Sequence, residues 1–468
     1  QVVTPRDVTM TYDICQCQVT LSDAQAVRDW NGLIKAFLSH GTTAPKHLKA
    51  VLTAEPDFAM GHAVRGLFSM MMGRREIIEV GHQANTTAQE KLRLGGANRR
   101  ETLWCEALDV WVSGSALGAI STLEKALALN PADTFTMKVI HAIRFIVGDS
   151  IGMRRSVEAV LQAHDADHAL RGYTLGCYAF SLEETGDYDA AERVGLEGLT
   201  YAPDDAWGLH AVAHVYDMTH NPAKGISLID HNTTAWDHCN NFRFHVWWHK
   251  ALLHLDRGEY ADVLHLYDTK VRYEKTDDYR DFSNASSLLT RLELEGVDVG
   301  TRWSELADLA ESRSEDGCLV FADLHYMLAL SGDSRADATS NLIGRVARDA
   351  KTPTEAGRLM TTPGMAAATG LAAATGLAAF GEGRYDDAFH QLLTSQPHFG
   401  AMGGSHAQRD VFERVTVDAG IRAGQLDQAE HLVRARNKLR GGHIDTFGET
   451  RLQTISNARR VASSVAAQ

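Results

Sequence analysis

Cysteine is scarce in this 468-residue chain: six in all, scattered apart from Cys15-Gln-Cys17. That count excludes a disulfide framework, and a one-residue gap is the wrong spacing for a structural zinc pair. Free thiols in a reducing cytoplasm are the expectation. Basic charge is also short. The 46 Lys and Arg against 60 Asp and Glu leave a net charge of −14, and no basic stripe is visible, which argues against a nucleic-acid partner. Long apolar runs are missing too. The longest, Met365 to Phe380, is rich in Ala and Gly and too short to span a bilayer, so no membrane partner is expected. No charged segment followed by an apolar run opens the chain, which makes a cytoplasmic location the expectation. Low-complexity tracts and flexible linkers are absent as well. Residues 21–468 therefore read as one continuous domain, with 1–20, which show no periodicity, as an extended N-terminal arm.

What is present is a rhythm. A small residue, nearly always Gly, recurs at Gly73, Gly114, Gly148, Gly186, Gly258, Gly296, Gly332, Gly383 and Gly424, with His220 filling the slot between Gly186 and Gly258. The gaps run from 34 to 41 residues, with one of 51 where Lys351 to Met365 carries Pro353 and Pro363. Several sites open one local pattern, as in Gly186-Asp-Tyr188-Asp-Ala-Ala191, Gly383-Arg-Tyr385-Asp-Asp-Ala388 and Gly424-Gln-Leu426-Asp-Gln-Ala429. A period of this length with an internal turn marks helix pairs stacked as a solenoid. Each unit reads as helix A, a turn at the Gly, helix B, and a loop often closed by Pro, as at Pro56, Pro131 and Pro203. Pro cannot continue a helix and so sits just past its end. Ser405 is a good N-cap for a helix starting at His406. The fold class expected is all-α: a right-handed superhelical solenoid of about ten helix pairs.

The pattern resembles the tetratricopeptide repeat. With the turn Gly counted as position 15, Pro203 falls at position 32, where that repeat carries its proline. The resemblance implies that helix A lines the concave face and that its positions 2, 5 and 9 point into the groove. His210 and His214 then take positions 5 and 9 of one repeat, and His245 and His249 positions 2 and 6 of the next. Each pair is spaced i, i+4, so both rings leave one side of a helix, and neighbouring A helices should bring the four imidazoles together. Asp217, one turn beyond His214, is a candidate carboxylate. Trp207, Tyr216 and Trp248 are candidate walls of an apolar pocket, flanked in sequence by Phe242 and Trp247. His141, His325 and His62 read instead as buried, hydrogen-bonded side chains.

Such a cluster suits two chemistries. Four imidazoles with a carboxylate nearby could bind Zn²⁺ or another divalent transition metal. Without metal, they could act as general acid and base near neutral pH. The alternative to both is a set of polar core residues bonding one another.

A wider resemblance covers residues from about 56 to 440. Met60-Gly-His62-Ala, Arg99-Arg100-Glu101, Asp205-Ala-Trp207 through His214, His245 with Trp248-His249, Gly258-Glu-Tyr260, Arg302-Trp303, Asp323 with His325, and Gly403-Gly-Ser405 through Arg409-Asp410-Val411-Phe412 resemble, in that order, the tetratricopeptide repeat protein 38 family. His406 departs from the family's pattern, which has Asn there. The resemblance implies a superhelix curled into a nearly closed ring around a chamber, and no particular reaction. Two functions follow as expectations. The first is a hydrolase of a small amide or ester in the chamber, with His210, His214, His245, His249 and Asp217 in the chemistry. Trp207, Tyr216, Trp248 and Arg409 would hold substrate or oxyanion, and Ser405 or Cys239 would be the nearest nucleophile. The alternative is a non-catalytic scaffold holding a peptide or protein partner in its groove, the commonest use of this repeat. A homo-oligomer is compatible with either.

Overall fold

The computed structural model describes residues 10–360 and 369–466. Among these, 24 α-helices follow one another and the only sheet is a two-stranded ribbon. The helices form eleven antiparallel pairs. They are α1 (Ala24–Leu38) with α2 (Ala44–Ala54), α3 (Ala59–Met71) with α4 (Arg75–Arg93), α5 (Arg99–Val112) with α6 (Ala116–Leu129), and α7 (Thr134–Ile146) with α8 (Ser150–Glu158). Next come α9 (Arg171–Glu184) with α10 (Tyr188–Tyr201), α11 (Ala206–Met218) with α12 (Pro222–His231), α13 (Phe242–Asp256) with α14 (Tyr260–Leu266), and α15 (Tyr279–Leu294) with α16 (Trp303–Arg313). After α17 (Val320–Gly332) with α18 (Ala336–Lys351) and the single turn-rich α19 (Glu355–Met360) come α20 (Leu371–Gly381) with α21 (Tyr385–Ser395) and α22 (His406–Arg422) with α23 (Leu426–Leu439). A terminal helix, α24 (Thr446–Ala466), caps the stack. The architecture is an all-α superhelical solenoid.

The turns explain the rhythm. Gly73, Gly114, Gly148, Gly186, Gly258, Gly296, Gly383 and Gly424 all adopt positive φ between the two helices of a pair, a region that a Cβ disfavours. His220 does the same at φ 54, and an eleventh turn, at His40 with φ 56, escaped the glycine pattern. Gly332 is a correction: it ends α17, and the left-handed residue is Ser334 at φ 55. Gly332 is small for another reason, since a Cβ there would meet the Trp303 ring at 2.4 Å. The inner A helices are buried nearly all round, as in α11 from Ala206 to Tyr216, whereas B helices such as α18 bury one stripe. That asymmetry places the core along the A row.

Residues 10–20 fold back rather than trailing free. Thr11–Tyr12 pairs antiparallel with Gln18–Val19. Buried Asp13 accepts from Trp30 Nε1 at 3.2 Å and from Arg100 Nη1 at 2.9 Å. The earlier part of the expected arm, residues 1–9, lies outside the described residues, as do residues 361–368 of the proline-bearing insertion.

The superhelix closes on itself. His238 Nε2 and Ser39 O are 2.9 Å apart, and Asn240 N donates to His40 O at 2.8 Å. Arg74 and Arg313 share Asp277 and Glu76. The turn at Gly148 abuts the segment before α22, where a Cβ on Gly403 would lie 2.3 Å from Ile146 O. Tyr188 donates to Leu439 O at 2.6 Å, and Thr446 N donates to Asp256 at 3.0 Å. Turns and loops distant in sequence therefore cover what an open solenoid would present as its groove.

Candidate functional site

Helix α11 starts at Asp205, whose carboxylate accepts from the backbone of Trp207 and Gly208. This cap fixes the rotation of the helix and sends His210 and His214 inward together. Helix α13, which has no side-chain cap, presents His245 and His249 to the same point. The four rings meet. Nε2 of His214 lies 2.8 Å from that of His210, His210 Nε2 lies 3.2 Å from His245 Nε2, and His245 Nε2 lies 3.1 Å from His249 Nε2. One ring nitrogen of each residue lies within 4.8 Å of one from every other, so these four could hold a metal ion. Ring centroids are 4.3–5.0 Å apart. His214 is fully buried and His210 and His249 are 2 % exposed. His245 is half-buried.

Two neighbours set the outward-facing nitrogens. His245 Nδ1 is 2.9 Å from Asn284 Oδ1 on α15 and donates to it. His214 Nδ1 is 3.4 Å from Glu183 Oε2 near the end of α9. Burial holds His210 and His249 well below the usual imidazole pKa, aided by the neighbouring rings. It brings His245 down to about 4 against the opposing hydrogen bond from Asn284. Burial alone would lower His214 as well, but the Glu183 carboxylate overrides it and raises that ring. Burial in turn pushes Glu183 up. Three rings are thus biased toward the neutral form and the fourth, beside the acid, toward the charged one. Neither Glu183 oxygen has a hydrogen bond, nor do Nδ1 of His210 and His214, Trp248 Nε1 or Arg291 Nε.

The wall is aromatic. Trp207 packs on His210 at 5.0 Å, with its indole N–H given to His141 at 3.1 Å. Trp248 stacks on His245 at 5.1 Å, with the Arg291 guanidinium 5.4 Å from its ring. Phe242 and His40 close the same side, 4.5 Å apart. Burial lowers Arg291 to about 9.

Four expected members lie elsewhere. Asp217 turns away and pairs with Arg440 at 3.6 Å. Tyr216 donates its hydroxyl to Glu192 at 2.7 Å. Arg409 binds the Gly403 and Gly404 carbonyls and lies 3.5 Å from Glu184. Trp247 packs edge-on against Trp236. Neither nucleophile candidate is poised for attack. Ser405 is the N-cap of α22, reciprocated by Gln408, and burial pushes the Cys239 thiol up to about 12. His325 bonds Phe321 O at 2.7 Å in the core, while His62 is half-buried on Pro56 O.

Glu183, Asn284, Arg291 and His40 are the members that sequence reasoning missed. One signal was available. Glu183-Glu184 ends an otherwise apolar inner helix, where the macrodipole disfavours carboxylates.

The fold and the site together define an all-α superhelical solenoid of helix pairs with a histidine-lined, aromatic-walled centre. No family model matches the chain. It is similar to a chain of the Naa15/Naa10 complex bound to HypK-THB, at 11% identity over 89% of this chain with TM-score 0.25; the match spans 64% of that chain. It is likewise similar to human IFIT1, solved as a dimer with m7Gppp-AAAA (13% identity, 87% of this chain and 95% of that one, TM-score 0.36). A third likeness is to yeast Tom70 (12% identity, 94% and 96% covered, TM-score 0.31). Likeness at this level carries no inference about function. Among the described residues, no helix is long and apolar enough to cross a membrane.

Proposed function

We propose that the protein is a non-catalytic tetratricopeptide-type scaffold for a protein or peptide partner, with the histidine cluster as its structural centre. One observation carries this reading. Three of the four rings and Trp248 are at most 2 % exposed and His245 is half-buried, so a substrate could reach no more than the edge of one ring. A ring closed by its own turns and loops offers a partner its outer helices and turns rather than a central groove. The net charge of −14 favours a partner of basic surface. The same reading treats residues 21–468 as one domain, places the protein in the cytoplasm, and takes the ordered motif set as kinship with the tetratricopeptide repeat protein 38 family. Cross-linking of the protein to a captured partner should place the contacts on B helices and turns. Cross-links confined to α11 and α13 would overturn the surface assigned.

A second reading, a hydrolase of a small amide or ester, is favoured by the Glu183–His214 pair. A buried acid with two unbonded oxygens beside an imidazole is an arrangement that general acid–base catalysis uses. Turnover of an aryl ester or anilide by the wild type, lost in both His214→Gln and Glu183→Gln while the helical spectrum persists, would replace the scaffold reading with this one.

A further inference from the structure

We propose that His210, His214, His245 and His249 form a four-nitrogen site for one divalent transition metal of the zinc class. This goes beyond the scaffold reading and does not depend on it.

The argument begins with proton counting. A neutral imidazole carries one N–H and one lone pair. His245 spends its proton outward, on Asn284 Oδ1 at 2.9 Å, so its Nε2 is a lone pair. His214 turns its Nδ1 toward the Glu183 carboxyl at 3.4 Å and its Nε2 toward the other rings; with the proton on the Glu183 side, that Nε2 is also a lone pair. Both lone pairs point at His210 Nε2, at 3.2 and 2.8 Å. His210 has at most one proton to offer to the two of them. His249 Nε2 then meets His245 Nε2 at 3.1 Å, a nitrogen that His210 already contests. Hydrogen bonds among four neutral rings leave at least one nitrogen facing another with no proton between them. Adding protons makes the centre cationic where three of the four rings are at most 2 % exposed, which is costly.

A single cation resolves this count. All four Nε2 lone pairs then point at one centre, and every Nδ1 carries a proton. Asn284 Oδ1 is in place for the His245 proton, and Glu183 lies 3.4 Å from His214 Nδ1, close by but not hydrogen-bonded to it. A histidine ligand held by an outer carboxylate or amide is the usual support of a zinc site. A tetrahedron with metal–nitrogen bonds of about 2.0–2.1 Å has edges of about 3.3 Å, so the three short edges, at 2.8, 3.1 and 3.2 Å, would spread by a few tenths of an ångström, while the wider ones, all within 4.8 Å, would close. All-nitrogen coordination suits zinc, copper, nickel or cobalt rather than magnesium or calcium. Four protein ligands with no open position make the site a structural one, joining the repeat of α11 to that of α13.

Other buried histidines behave differently. His164 finds Val160 O and the Thr134 hydroxyl, His168 finds Ala132 O and Leu170 N, and His325 finds Phe321 O. Only the four central rings, among these buried ones, aim their nitrogens at one another.

The test uses the full chain, stripped with chelator, refilled with zinc or cobalt(II), and desalted. About one metal ion per chain should remain, and the cobalt form should show the intense visible bands of four-coordinate cobalt. His210→Gln with His249→Gln should lower retained metal at least tenfold. Asn284→Leu, which leaves all four ligands in place, should weaken binding by about ten- to a hundredfold and guards against a variant that fails to fold. Less than a tenth of an equivalent retained by a folded wild-type chain would overturn the proposal. So would a full equivalent retained by the double variant, since the ion would then sit elsewhere. Loss of zinc with no effect on partner binding would leave the scaffold reading standing, so the two fail separately.

Discussion

Two of the buried polar clusters in this solenoid are built on opposite principles. In the last repeats, Arg436 reaches Asp410 at 2.6 and 3.0 Å and Asp445 at 2.7 Å twice, while Arg414 reaches Asp410 at 2.7 Å. Both carboxylates are held well below the usual range by these guanidiniums, even though burial pushes the other way. The central cluster has one weak acid–imidazole pair and several polar atoms with no partner. Networks of matched charges lock helices together and need nothing further. Convergent nitrogens, by contrast, leave a gap at the centre, which the proposed metal ion would fill.

The sharpest way to break this comparison is Arg436→Ala. It removes the main partner of two carboxylates, Asp410 15 % and Asp445 1 % exposed at the side chain, and leaves them Arg414 at 2.7 and 3.5 Å and, for Asp445, Arg440 at 3.7 Å; loss of a partner from such a buried network costs about 3 kcal/mol. Urea denaturation should show that loss. A cost below about 1 kcal/mol would mean that water already reaches the network.

Next in size is a pH effect at His164, a buried ring satisfied on both nitrogens. Burial, opposed by the Val160 carbonyl, lowers its pKa from 6.5 to about 4. The folded value lies below the unfolded one. Its contribution is therefore fully present above about pH 6.5 and is lost as pH falls toward 4, by up to about 3 kcal/mol. Stability measured from pH 7 to 4 should fall less steeply in His164→Gln than in the wild type. Parallel profiles would contradict the assignment.

Smaller still is His249→Leu measured in chelator. It removes a nitrogen that lacks a well-defined proton partner and substitutes a residue of similar volume, so stability should change by less than about 1 kcal/mol or rise. A loss near that of Arg436→Ala would show that the rings are already satisfied without metal. The smallest effect belongs to Cys239→Ser. The thiol is 1 % exposed and its pKa is raised, so the folded chain should react slowly with thiol reagents, and the substitution should alter stability by about 1 kcal/mol and leave metal retention unchanged.

The repeat turns were legible because a left-handed residue is a local demand that glycine meets most easily. Where another residue met it, as at His40 and Ser334, the pattern missed the turn or displaced it. The convergence of His210, His214, His245 and His249 was legible because i, i+4 spacing on adjacent A helices is local geometry repeated twice. Asp217, Tyr216 and Arg409 went to other partners because those lie in different repeats: Arg440 is 223 positions from Asp217, and Glu184 comes from a repeat far earlier than Arg409. Glu183 escaped notice since its role depends on α9 packing beside α11.

By itself, then, the sequence determined the helix pairs, their turns, and which rings share a helix face, because each depends on contacts within a few residues or one repeat. Only the tertiary structure decided that the superhelix closes on itself, that three of the four rings are buried, and which carboxylate faces His214. Those outcomes depend on small angles between successive repeats that accumulate over eleven pairs, and no local pattern encodes their sum.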